Sequence, residues 1–363
     1  MKELIELTEE FAKVISNLED QRKRTGEFLK DLNSSTLTLG DEIFENKLII
    51  PVKQSTLENL AIAGVDGGLV KHSLHGIDIM LIRSIAALFI YKNSKLSDVQ
   101  YHPDSIPSPI PKIVFDPFSD LEFEMNSNME RQIAEVNTAA EAIEKFKPEI
   151  LLMHGSIVPH YTEKPSSSSL LFVTYQKMIE TYKKLFSIAQ KNNTILAGVI
   201  EDSRGVRFCE LINKILAETK PELTLETKIL LSKTKDTNLL AYTLNTGERT
   251  LIFKYSPDPS NHPILKEFTA QIFSFYLKSA EFDRSIRIDF LGSNNPIETA
   301  NKISSVILST TGHSSYGIPA VLIEADQRAK LSENDIETFY LDLINKAGNL
   351  SALFLQRREQ RPF

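Results

Sequence analysis

One cysteine, Cys209, stands alone among the 363 residues. It cannot form an internal disulfide or supply a thiolate cluster by itself, which excludes zinc-finger and iron–sulfur readings. Any metal must be held by oxygen and imidazole. Long hydrophobic runs are also missing: the longest, Ile77 to Tyr91, is broken by Asp78 and Arg83 and is too short to cross a bilayer. The opening MKELIELTEE alternates charge with apolar side chains and lacks the uninterrupted apolar centre of a secretory signal. A cytoplasmic protein with no membrane partner is the expectation. Positive charge is in short supply too, with 41 Lys and Arg against 48 Asp and Glu and a net charge of −7. A free-standing, tight nucleic-acid binder normally shows the opposite balance. Total charge says little about one groove, however, since carboxylates gathered around metals can dominate it. No internal repeat, clean linker or Walker A pattern occurs.

What is present is 42% hydrophobic residues, enough for one large core or two modest ones. Residues 2 to 32 carry Leu4, Leu7, Phe11, Val14, Ile15, Leu18 and Phe28 at helical spacing with charge between them, an amphipathic helix. Amphipathicity alone leaves open whether it packs on the core or reaches for a partner. Leu60 to Asp66 is an apolar run ending at Gly67-Gly68, the pattern of a buried strand leaving its sheet. Ile77 to Tyr91 predicts one or two strands. Five prolines between residues 94 and 121 predict an irregular loop. Further strands are expected at Glu149 to Met153, Thr194 to Ile200, within Leu225 to Tyr255, at Ile286 to Leu291 and at Ala320 to Ile323. Helices are expected at Met129 to Phe146, from Pro165 to about Asn192, at Val206 to Glu218, Pro263 to Lys278, Pro296 to Leu308, and from about Glu333. Strands interleaved with helices predict a mixed α/β sheet flanked by helices.

Asp66 is the most informative residue. A carboxylate at the end of a buried strand lies at the sheet edge, and the glycines after it allow close approach. A strand followed by Asp-Gly-Gly is equally a turn signal. Two more strand ends join it in this reading: His154-Gly155-Ser156 after Ile150 to Met153, and Glu324-Ala325-Asp326 after Ala320 to Ile323. Glu130 could lean over the same edge from its helix, or be a solvated helix glutamate. His72, His75, His160 and His313 lack close ligand spacing and read as surface or packing residues.

These segments, in order, resemble the NurA family of nucleases. The resemblance spans most of the chain: Ala63-Gly-Val-Asp-Gly-Gly68, the helix with Glu130, Leu151-Leu-Met-His-Gly-Ser-Ile157, Ala197-Gly-Val-Ile-Glu-Asp-Ser-Arg204, Gly247-Glu-Arg249 after Asp236, and Tyr316-Gly-Ile-Pro319 leading into Leu322 to Ala329. It implies an RNase H-like fold, with residues 1–50 a helical arm and lead-in and residues 51–363 the nuclease domain with inserted loops. It further implies a homodimer, a HerA-type hexameric ATPase as partner, and a divalent metal, Mn²⁺ or Mg²⁺, for 5′ to 3′ exonuclease and single-strand endonuclease action on DNA ends. By position, Asp66, Glu130, His154 and Asp326 take the catalytic and metal-binding places, with Arg204 and Arg249 toward DNA. The chain departs from the pattern in three places. The family usually has Asp where His154 stands, often His where Asp326 stands, and commonly Lys where Glu201 stands. An imidazole in the set suits Mn²⁺ better than Mg²⁺. His154 and Glu201 also leave room for a second reading, a weak or inactive NurA-like adaptor that docks on the ring and guides DNA.

Overall fold

The computed structural model describes residues 2–33, 43–74, 76–115, 118–160, 164–219, 225–268 and 271–347. In chain order the elements are α1 (Lys2–Leu32), β1 (Ile49–Pro51), β2 (Leu60–Ser73), β3 (Ile77–Lys92), β4 (Lys95–His102), β5 (Ile110–Phe115), α2 (Asp120–Phe146), β6 (Ile150–His154), α3 (Phe172–Lys191) and β7 (Ile195–Ile200). Then follow α4 (Arg207–Thr219), α5 (Leu225–Lys233), α6 (Asp236–Thr243), β8 (Glu248–Thr250), β9 (Phe253–Lys254), β10 (Ile272–Lys278), β11 (Ile286–Leu291), α7 (Pro296–Thr310), α8 (Ala320–Ala329) and α9 (Glu333–Ala347). They form two compact units. The first takes residues 1–55, 199–257 and 271–319, and the second takes 56–198, 258–270 and 320–363. None of the described helices is long and apolar enough to cross a membrane.

The second unit is built on a mixed sheet. β2 pairs antiparallel with β3 along its whole length, from Leu60 opposite Tyr91 to Ser73 opposite Asp78, and parallel with β6, from Ile62 beside Ile150 to Val65 beside Met153. β3 is one long strand because its apolar residues are buried on both faces. α2 begins at a capping box, in which Ser119 and Glu122 satisfy each other's backbone amides, and ends at Lys147 in the left-handed region. α9 packs Ile336 into a cluster with Val70, Leu74, Ile79 and Leu81.

In the first unit β10 pairs antiparallel with β11 and β8, and β8 with β1. Its core gathers Leu29 and Leu32 of α1, Phe208 and Ile212 of α4, and Leu239, Leu240, Phe253 and Tyr276. Asp236 is buried there and accepts hydrogen bonds from the Phe208 and Cys209 amides at 3.0 and 2.9 Å, capping the first turn of α4.

Five expectations from sequence change. Asp66 does not end its strand: β2 runs on through Gly67 and Gly68 to Ser73, so the two glycines stay paired with β3 instead of leaving the sheet. The proline-rich span holds two strands, β4 and β5. Pro103, Pro107 and Pro109 lie between them, and Pro111 fits within β5 because, among the described residues, that strand pairs only with β3. Residues 225–243 form helices α5 and α6 rather than strands; their apolar runs are too short for periodicity to separate the two. The expected helix at 263–278 is a short 3-10 turn, Leu265–Glu267, and the strand β10. The aromatic content of Ile272-Phe-Ser-Phe-Tyr-Leu favours a strand, while burial of all six positions hides the alternation. Finally, Ala320 to Ile323 is no strand but the first turn of α8, which continues through Glu324-Ala-Asp-Gln-Arg, all helix-compatible residues.

Candidate metal centre

Asp66 and His154 follow directly on Val65 and Met153, the last registered pair of the parallel strands β2 and β6. Adjacent parallel strands carry side chains at the same level to the same face. The result is a His154 Nδ1 to Asp66 Oδ2 distance of 2.8 Å, with Asp66 Oδ1 accepting the Gly67 amide at 2.7 Å. Asp66 is 6% exposed, so its charge is well shielded from water. α8 brings the third group. Asp66, His154 and Asp326 each offer a ligand atom, and these atoms all lie within 4.8 Å of one another. Asp326 therefore reaches the site from a helix, not from a strand end.

Glycines make that approach possible. A Cβ on Gly64 would fall 2.7 Å from the Val321 carbonyl oxygen, and one on Gly68 would collide with that of Ala329. Both neighbours are backbone of α8, which cannot give way as a side chain can. Beside the site lies a pocket of about 290 Å³ lined by Asp66, Gly67, Gly68, Leu69, Asp326, Ala329, Lys330 and Leu331.

Glu135, which the sequence does not single out, is buried beside this group and interacts electrostatically with Asp66 and His154. It projects from α2 against Gly67, ion-paired to Arg131. Burial pushes its carboxyl up to about 7; Arg131 opposes the shift, Asp66 adds to it and His154 opposes it. Glu130 takes a different place: its carboxylate is ion-paired with Lys112 of β5 and is not in the Asp66, His154, Asp326 group. Glu130 and Glu135 lie five residues apart on one helix, and only one can face the edge of β2. The missed signal is helical phase, since Met129, Ile133 and Val136 are buried with Glu135.

Glu324 also turns elsewhere. It accepts from Tyr101 Oη at 2.7 Å and from Arg328 Nε at 2.5 Å, which ties α8 to β4. The two arginines expected toward DNA lie in the first unit and differ from each other. Arg204 is exposed on the loop between β7 and α4. Arg249 is wholly buried, held by both Glu45 oxygens at 2.6 and 2.7 Å and by Asn301 at 2.6 Å. It is a structural ion pair inside the unit. Glu201 accepts from Tyr316 Oη at 2.7 Å. Of the other histidines, His72 packs at 5.6 Å from the Tyr340 ring, His160 is exposed, His313 Nδ1 accepts the Ser315 amide, and His75 lies outside the described residues.

A sequence model of the NurA domain matches residues 60–331. The chain belongs to the NurA family. Its fold is shared with the NurA nuclease from Sulfolobus solfataricus at 14% identity, over 96% of this chain and 98% of that one, with a TM-score of 0.60. It is also shared with a NurA bound to dAMP and manganese, at 13% identity over 96% and 98% of the two chains, TM-score 0.53. No curated protein matches the sequence. The α/β class expected from the sequence, with a mixed sheet and flanking helices, is the one observed, and family membership supports a nuclease.

Proposed function

We propose that this NurA protein is a divalent-metal-dependent deoxyribonuclease with Asp66, His154, Asp326 and Glu135 as its metal-binding and catalytic set. One observation carries the reading: two carboxylates and an imidazole on three different elements bring ligand atoms within 4.8 Å, beside an open pocket. The donor set fits such an ion. Oxygen with a single imidazole suits Mn²⁺, and tolerates Mg²⁺ less well. Manganese in a related NurA supports the same choice. When bound, a divalent cation supplies Lewis acidity toward the phosphodiester and a hydroxide-like nucleophile near neutral pH.

The chain's own residues supply the rest. Asp66, fixed by the Gly67 amide, presents its second oxygen toward His154 and cannot rotate away without losing both contacts. Asp326 faces it across the pocket rim. Glu135, with its carboxyl near 7, can hold or release a proton in the working pH range. Lys330 lines the pocket and is a cationic group available to a phosphate there.

The finer reading is 5′ to 3′ exonuclease and single-strand endonuclease action in DNA-end processing in the cytoplasm, as a homodimer working with a HerA-type ATPase. An acidic chain gains most from a partner that holds and feeds the duplex. The test is Asp66→Ala, assayed on linear and single-stranded DNA with Mn²⁺, with circular dichroism as the folding control. Loss of cleavage with an unchanged fold is expected. Cleavage at the wild-type rate by that variant overturns the assignment. Wild-type protein that binds DNA and the ATPase yet never cuts would instead establish the adaptor.

A further inference from the structure

We propose that Arg83 grips the phosphate next to the one being cut, through an edge of its guanidinium that the fold leaves open. The inference rests on the nuclease reading of the metal centre and adds a second anion site beside it.

Arg83 interrupts the longest apolar run of the chain. The residues on both sides of it in β3 are buried, while Arg83 is only half-buried. Register sets where it points. In the antiparallel pair of β2 and β3, Arg83 lies opposite Gly68 and Ile85 opposite Asp66. Directly paired residues share a face of the sheet, and so do residues two apart on one strand. Asp66, Gly68 and Arg83 therefore stand on the face that α8 covers. Arg83 Nη1 donates to the Lys330 carbonyl at 3.0 Å, just past the end of that helix. Gly68 and Lys330 both line the pocket beside Asp66.

The bond to Lys330 has a structural use, because the last carbonyls of a helix lack partners within it and a cation there suits the dipole. It does not use the group up. Nη1 lies on the side of the guanidinium away from the Nε–H, so the Nε and Nη2 donors form a fork of their own. Among the described residues neither has a partner, and Nε is buried. A buried N–H left unpaired is costly, and an anion seated on the fork would satisfy it. No carboxylate among the described residues forms an ion pair with Arg83. Asp335 feels its charge, but Asp335 Oδ2 accepts from the Ser332 amide and hydroxyl, both at 2.7 Å.

Phosphate is the anion that fits. Two parallel N–H groups in a rigid fork match two phosphate oxygens. The spacing suits a strand held at the metal centre. From Asp66 to Gly68, opposite Arg83, is two residues of β2, about 6–7 Å. That is close to the step from one phosphate to the next along a nucleic-acid strand. Lys330 lies one helical turn beyond Asp326, its amide bonded to the Asp326 carbonyl at 3.0 Å, and adds a second cation on the same side.

The test uses the full chain with Mn²⁺ and a single-stranded DNA oligonucleotide. Two further strands carry a neutral methylphosphonate at the phosphate 5′ or 3′ of the bond whose cleavage is followed. Arg83→Ala should lower kcat/KM on the native strand on the order of 10- to 100-fold, mainly through KM. On one of the two methylphosphonate strands it should cut as wild type does, because the group that Arg83 holds is already gone. Arg83→Lys can hold the Lys330 carbonyl but has no fork, so it should keep the melting temperature without recovering the rate. Mn²⁺ affinity by calorimetry should be unchanged in both variants. If Arg83→Ala fails to fold, Arg83→Lys carries the same comparison across the three strands. An equal loss on all three strands, an unchanged rate, or full rescue by lysine would overturn the inference and leave Arg83 as a cap of α8. A wild type that never cuts would remove the nuclease reading. Binding of the native strand at varied salt then tests Arg83 separately, with the slope of log affinity against log salt expected to shrink by about one in Arg83→Ala and an unchanged slope overturning its role.

Discussion

Glu135 occupies the space that a side chain at residue 67 would need: a Cβ on Gly67 falls 2.5 Å from Glu135 Cγ and Oε1. The glycine and the buried carboxylate are therefore one feature, through which α2 delivers an acid to the edge of β2. Gly67→Ala is expected to push Glu135 out of place, costing about 1–3 kcal/mol of packing and most of the Mn²⁺ affinity. Gly68→Ala meets the Ala329 backbone instead and should fail earlier, in folding. Thermal melts with Mn²⁺ titrations by calorimetry separate the two. A Gly67→Ala protein that binds Mn²⁺ like wild type would break the link between Gly67 and the site.

Glu135, rather than Glu130, should carry the helix's contribution to activity. Glu135→Gln removes a buried carboxylate beside Asp66, and a loss of cleavage on the order of 100-fold is expected. Glu130→Gln loses a partly exposed pair with Lys112, which contributes about 0–1 kcal/mol, and should cut DNA normally. Equal losses in both variants would count against the geometry.

Metal-free protein should lose stability as pH rises toward and through 7. The Glu135 carboxyl is raised from 4.5 to about 7 in the fold. Between those values the folded protein keeps a proton that the unfolded chain has released, so the slope of stability against pH is negative there. The melting temperature should fall from pH 5 to pH 8, and Glu135→Gln should flatten that fall. Mn²⁺ affinity should rise over the same range, because the ion competes with that proton. An identical pH slope in wild type and variant would show that another group titrates.

Much of this was legible in the sequence, for reasons that can be traced. Asp66 and His154 close apolar runs whose strand character is unambiguous, but only His154 ends its strand; the two meet because β6 stops level with Asp66, midway along β2. Asp326 follows from its order along the chain, but its place on helix α8 does not. Ala320-Val-Leu-Ile is four apolar residues, and four residues do not distinguish a strand from a helix turn. Glu130 and Glu135 differ only by helical phase, which is fixed by which side of α2 meets the sheet. Arg249 could not be told from a surface arginine, because its partner Glu45 lies 204 residues away in sequence.

His154 and Asp326 are expected to compensate for each other, since both offer atoms to one group. His154→Asp gives the cluster four carboxylates, counting Glu135, and should shift preference toward Mg²⁺. Asp326→His alone should weaken the hold on hard cations. The double exchange should keep more activity than the two single losses predict by addition. Rates for all four proteins, titrated with Mn²⁺ and Mg²⁺, decide this, and strict additivity with unchanged metal preference would separate the two residues.

Arg204 and Arg249 should respond to mutation in opposite ways, although both were expected to face DNA. Arg249→Ala leaves Glu45 buried without its partner, a change that costs about 3–5 kcal/mol. That corresponds to a melting temperature lower by roughly 10 °C. Arg249→Lys should recover little, because one ammonium cannot serve both Glu45 oxygens and Asn301 as the guanidinium does. Arg204 stands on an anchored loop: Ser203 beside it is buried, bonds the Gly205 amide at 3.2 Å and accepts Thr237 Oγ1 on its carbonyl. Arg204→Ala should therefore leave the melting temperature unchanged. If it contacts a phosphate, DNA binding should weaken and the slope of log affinity against log salt should shrink by about one. Melting curves and salt-dependent binding isotherms on the same three variants test both halves. An Arg249→Ala protein that is stable but loses DNA would return that residue to the DNA surface, and an unchanged salt slope for Arg204→Ala would remove Arg204 from it.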